Sequence, residues 1–113
     1  MSRSSTKTIE ADNQYSDAVY LHGSFNLSLS GTWNATVCVQ RSFDGGATWL
    51  DVESFEESGE YAGFEPEDNV MYRFGVPTGA YTSGSVVGRL STLVHKFGYV
   101  FTQPVVRRLT LPA

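Results

Sequence analysis

Along most of the chain, apolar and polar residues alternate with a period of two. Val19, Leu21, Gly23, Phe25, Leu27 and Leu29 form an apolar or small set, and the mostly polar Tyr20, His22, Ser24, Asn26 and Ser28 lie between them. That alternation predicts a half-buried antiparallel strand, with Gly23 as a bend or bulge. The pattern resumes at Trp33, Ala35, Val37 and Val39, passes a glycine turn at Asp44-Gly45-Gly46, and continues over Thr48–Val52. Val70, Tyr72, Phe74 and Val76 alternate again before Pro77-Thr78-Gly79. Tyr81 to Leu90 predicts a last strand, weakened by Gly84 and Gly88. Short strands near Thr8–Glu10 and Tyr61 bring the number to about seven.

Strands at spacings of ~8–12 residues, separated by Gly, Pro and Asn turns, point to an antiparallel β-sandwich, immunoglobulin-like or jelly-roll-like. No segment sustains apolar residues at helical spacing with a cap, and Ser54 to Glu60 has room for one turn. The division predicted is an N-terminal arm over 1–7, a sandwich over 8–91, and an extended C-terminal strand or arm over 92–113. In this last segment the rhythm of turns stops, yet Leu93, Val94, Phe97, Tyr99, Val100 and Phe101 remain apolar. Two readings compete for it: an edge strand of its own sandwich, or an assembly arm that pairs with a neighbouring subunit. In the second, Tyr99 and Phe101 lie on the pairing strand, Pro104 ends it, and Arg107 and Arg108 reach acidic groups.

Charge changes this picture from a fold to a fold with polarity. Residues 42–68 hold nine acids and no base, and residues 69–113 hold five bases and no acid, within a net charge of −4. Such segregation bears on association and steering rather than on fold. The negative net charge and the presence of two lysines, Lys7 and Lys96, disfavour a nucleic-acid partner. No apolar stretch approaches the ~18 residues of a membrane span, and no apolar segment follows the first residues as in a secretion signal. The single cysteine, Cys38, excludes an internal disulfide framework and reads as a small buried hydrophobe.

Catalytic signatures are poor. His22 lies on the polar face of its strand, His95 lies in the C-terminal segment, and neither has a partner motif. No nucleophile elbow, zinc motif or paired-cysteine motif occurs. The acids of 42–68 lack the ladder of an EF-hand loop, although calcium is conceivable there. No cofactor is expected and the reading is non-enzymatic.

The sharpest local motif is Ser42-Phe-Asp44-Gly-Gly46-Ala-Thr48-Trp49, which resembles the Asp-box pattern S-x-D-x-G-x-T-W at every fixed position. The physics is that of a stabilised hairpin. Asp44 can accept backbone N–H bonds across the turn, Gly46 can take a positive φ, Thr48 can return a side-chain bond, and Trp49 can cover the turn. In sialidase-like propellers the motif is a folding element, so the resemblance implies a structural hairpin. A propeller itself needs four or more blades of ~40 residues, more than this chain can supply.

The string from Gln40 to Trp49, together with Phe64–Arg73 and Tyr81–Gly84, resembles small β-sandwich proteins encoded among bacteriophage virion genes. The resemblance spans residues 19–91. It implies a virion structural protein, such as a capsid decoration (cement) protein or a head–tail or tail accessory protein. Such a protein binds other virion proteins and itself as a homo-oligomer or lattice, and takes no nucleic acid or membrane. It would be made in the host cytoplasm and carried in the virion. The alternative is a carbohydrate-binding module of a phage tail or cell-surface protein, with Trp33, Tyr61 or Tyr81 as stacking platforms.

Overall fold

The computed structural model describes residues 4–92 and the backbone of 105–108, and among the described residues it has ten strands. In chain order they are β1 (Ser4–Ile9), β2 (Gln14–Tyr15), β3 (Val19–Ser30), β4 (Trp33–Ala35), β5 (Val37–Ser42), β6 (Leu50–Phe55), β7 (Gly59–Val76), β8 (Tyr81–Gly84), β9 (Val86–Thr92) and β10 (Val105–Arg108). Eight of them form one antiparallel sheet of order β1-β9-β3-β7-β5-β6, with β2 and β10 also paired to β7; β4 and β8 form a separate ribbon. The fold is an all-β antiparallel sandwich, as the alternation predicted.

The strand expected near Tyr61 and the one over Val70–Val76 are a single strand, β7. It is broken in register rather than in chain. Leu21 pairs with Val70 and Gly23 with Glu65, so His22 and residues 66–69 are left outside the ladder. Pro66 has no N–H to give a ladder, and Asn69 takes φ 62°, a left-handed conformation that asparagine tolerates. This bulge lets the two long strands bend, and the bend makes two layers from one sheet. In the first layer, residues 59–65 of β7 pair with β3 and β10, and β3 carries β9 and β1. In the second, residues 70–76 pair with β5, β2 and the start of β3, and β5 carries β6.

The layers meet through apolar side chains of inward parity. Phe25 lies against Tyr72 with ring centroids 4.8 Å apart, and Phe55 against Tyr61 at 4.0 Å. Gly88 of β9 faces Phe74 of β7 so closely that a Cβ there would collide with the ring. Ile9, Leu21, Leu27, Val37, Val39, Val86 and Leu90 belong to the same single buried cluster. Each such side chain contributes about 1.5–3 kcal/mol of transfer free energy.

Two further expectations change. Trp33–Val39 divides at Thr36 into β4 and β5, and Tyr81–Leu90 divides at Ser85 into β8 and β9. The paired segments β4 and β8 close one end of the sandwich, after which β5 and β9 enter opposite layers. Backbone bonds Thr36 N–H to Ala80 O and Ser85 N–H to Thr32 O mark the switch. Gly84 makes it possible: its φ is 89°, and a Cβ would strike the carbonyl of Thr32. Residues 4–7, assigned by sequence to an arm, pair in register with residues 88–91 of β9.

Candidate functional site

The 42–49 turn joins β5 to β6, and its hydrogen bonds are divided differently from the sequence expectation. Asp44 accepts the Thr48 N–H at 2.8 Å. The other backbone donors go to Ser42, whose fully buried hydroxyl accepts the Gly46 N–H at 2.9 Å and the Asp44 N–H at 3.3 Å. That hydroxyl in turn donates to Asp44 at 2.6 Å. Ser42 is therefore the hub and Asp44 orients it. The Ser42 hydroxyl, then the Thr48 N–H and hydroxyl, hold the Asp44 carboxyl down at about 2. Gly46 takes φ 95°, and the Trp49 ring lies over it.

Trp49 does more than cover the turn. The Arg73 guanidinium sits 4.3 Å from the Trp49 ring centroid and 4.0 Å from that of Tyr15, a cation between two aromatic faces. Arg73 Nε also donates to Gln40 Oε1 at 2.9 Å, and Gln40 Nε2 donates to Asp51 at 2.8 Å. This row crosses β2, β7, β5 and β6 on the outer face of the second layer. Partial burial lowers the Arg73 pKa from its ordinary value.

The main feature that sequence reading missed is buried. Glu65, with no exposed surface, accepts Arg41 at 2.8 Å and the Tyr72 hydroxyl at 2.6 Å on one oxygen. Its second oxygen accepts the Glu67 N–H at 2.9 Å. Desolvation, followed by the bond to Glu65, drives the Tyr72 phenol far above its ordinary pKa. The signal was present in the parity: Arg41 continues Val37 and Val39, and Glu65 continues Tyr61 and Gly63. Two opposite charges on inward positions are an ion pair in waiting. By sequence the acids of 42–68 are taken together, as a charged region bearing on association or calcium, and Glu65 is not singled out as buried.

Other candidates fall elsewhere. His22 and Asp68 approach at 3.4 Å on the exposed bulge. Cys38 is not the buried hydrophobe expected: it projects to the outer face opposite Val37 and Val39 and is half-buried. Its thiol pKa is raised, first by burial and then by Asp51. Tyr61 is only 4% exposed, so it cannot be a stacking platform. The Trp33 indole N–H donates to Ser58 at 2.9 Å, and the Tyr81 hydroxyl donates to the Gly84 carbonyl at 2.8 Å. Arg107 and Arg108 belong to β10, opposite Ala62 and Tyr61. That strand begins just after Pro104, where sequence reading ended one. Tyr99, Phe101 and His95 lie outside the described residues. Among the described residues, no three His, Cys, Asp or Glu side chains gather as a metal would require, and no helix is long and apolar enough to cross a membrane.

Among the described residues the sheet terminates at β6, which pairs only with β5. This edge exposes Leu50, Asp51, Glu53 and Ser54, and Phe43 in the adjoining turn is 48% exposed, as is Leu50. No protein-family model, no curated protein and no solved structure matches this chain.

Proposed function

We propose that this chain is a non-enzymatic structural component of a virion, a capsid decoration protein or a head–tail or tail accessory protein that docks on a repeated protein surface. The observation that carries the reading is the β6 edge. A terminal strand presents unpaired backbone groups, which natural sheets protect with charge unless a partner covers them. Here the protection is partial: the strand exposes the acids Asp51 and Glu53 but also the apolar Leu50, and Phe43 is exposed in the adjoining turn. Apolar centre and charged rim are the anatomy of a docking patch. The residues best equipped for acid–base work, Glu65, Tyr72 and Arg41, are joined to one another inside the sandwich, and their bonds serve the bulge.

The test is binding of the purified protein to particles that lack it, with copy number counted by imaging. Hundreds of copies mark decoration and a handful mark a connector or tail position. Asp51→Lys/Glu53→Lys should reduce binding, and so should salt beyond the ~8 Å screening length of physiological buffer. Binding indifferent to both changes overturns the assignment of the β6 edge. Binding of the isolated domain to glycans, with none to particles, would favour the carbohydrate-binding alternative.

A further inference from the structure

We infer that β10 is an exchangeable strand: residues 105–108 of one copy pair with residues 61–64 of β7 in a neighbouring copy, joining subunits edge to edge. The inference deepens the assembly reading and rests on it, because exchange needs copies held close together. The acceptor and its register are defined. Val105 lies opposite Phe64, Val106 opposite Gly63, Arg107 opposite Ala62 and Arg108 opposite Tyr61, all antiparallel. These residues of β7 are paired with β3 on one side, and on the other, among the described residues, with β10. A strand added from outside could therefore replace it bond for bond.

Chain length permits the exchange. Thr92 pairs with Phe25, Phe25 with Gly63, and Gly63 with Val106, so Thr92 and Val106 share one row across the sheet. Three strand spacings separate them, ~14 Å. The twelve residues between Thr92 and Val105 can reach ~40 Å when extended. Extended, twelve residues span about three times the distance to their own acceptor, which leaves length to reach the acceptor of an adjacent copy.

Charge fits the same pairing. The donor carries Arg107 and Arg108 in a segment without acids, and the acceptor follows the exposed acids Glu56, Glu57 and Glu60. Complementarity of this kind selects register and steers encounter. Pairing within one chain is favoured in dilute solution by a tether concentration of roughly millimolar. Copies packed side by side on a particle offer one another's acceptors at similar concentration, and the strand then partitions between the two.

The experiment places one cysteine on each side of the register in the full chain, Phe64→Cys with Val105→Cys, on a Cys38→Ser background. Paired β positions bring Cα atoms within disulfide range. Two versions carrying tags of different size are mixed, refolded together and oxidised at rising concentration. Exchange predicts a disulfide-linked species containing both tags, its share rising roughly tenfold per tenfold rise in concentration while it remains minor. Disulfides confined to single chains at every concentration overturn the exchange and leave docking through β6 untouched. Absence of any disulfide in folded protein overturns the register itself. Ala62→Cys with Arg107→Cys repeats the test at the adjacent pair if the first substitution destabilises the chain. Failure of particle binding in the presence of mixed-tag dimers would overturn the functional reading instead.

Discussion

Removing the arginine from the buried Arg41–Glu65–Tyr72 network should cost far more than neutralising the glutamate. In Arg41→Met the aliphatic bulk remains, but the Glu65 carboxylate stays inaccessible with only the Tyr72 hydroxyl and the Glu67 N–H as donors. A buried charge stripped of its partner costs about 3–5 kcal/mol. In Glu65→Gln the buried charge disappears together with its pair. The amide oxygen can still receive Arg41 and Tyr72, while the NH2 group faces the Glu67 N–H and one acceptor is lost, about 1–3 kcal/mol. Arg41 keeps 19% side-chain exposure, so water can add to the amide's weaker hold on its guanidinium. Urea unfolding followed by the fluorescence of Trp33 and Trp49 measures both. With a slope of about 1.5 kcal/mol/M, Arg41→Met should lower the midpoint by about 2–3 M and Glu65→Gln by about 1–2 M. The double variant should cost less than the sum of the two, because the groups act on each other. If Arg41→Met shifts the midpoint by less than Glu65→Gln, the stranded-charge reasoning is wrong.

Three other outcomes follow from the same geometry. Because the folded Asp44 pKa is depressed to about 2, its contribution to stability is present above about pH 4 and lost as pH falls toward 2. Asp44→Asn should therefore melt lower than the parent at pH 6 and converge with it near pH 2; parallel melting curves across that range would contradict the assignment. Gly88→Ala should destabilise by about 1–3 kcal/mol through overpacking on Phe74, and a neutral result in urea would mean that the layers do not touch there. The Cys38 thiol should alkylate more slowly at pH 8 than an unhindered thiol, and Asp51→Asn should raise that rate. A rate equal to that of a free thiol in the parent would overturn the environment assigned to it.

Period-two alternation was enough to determine the all-β antiparallel class, the inward set from Leu21 to Leu29, the bulge at Gly23 and the hairpin at 42–49. These are local properties: side-chain direction in a strand alternates residue by residue, and a turn is decided by its own glycines and short polar side chains. Sequence also determined the separation of charge. It could not show that a strand near Tyr61 and another at Val70 are one, because joining them depends on β3 running beside both across the bulge. Nor could it show that Trp33–Val39 and Tyr81–Leu90 each divide, since each half finds a different partner strand. Arg41 and Glu65 carried a parity clue, but their meeting required β5 and β7 to be neighbours, and Tyr15 reached Arg73 only because β2 pairs with the end of β7. Periodicity reports which face of a strand is buried; which strand lies beside it, and therefore which charges and rings meet, was decided by long-range pairing in the tertiary structure.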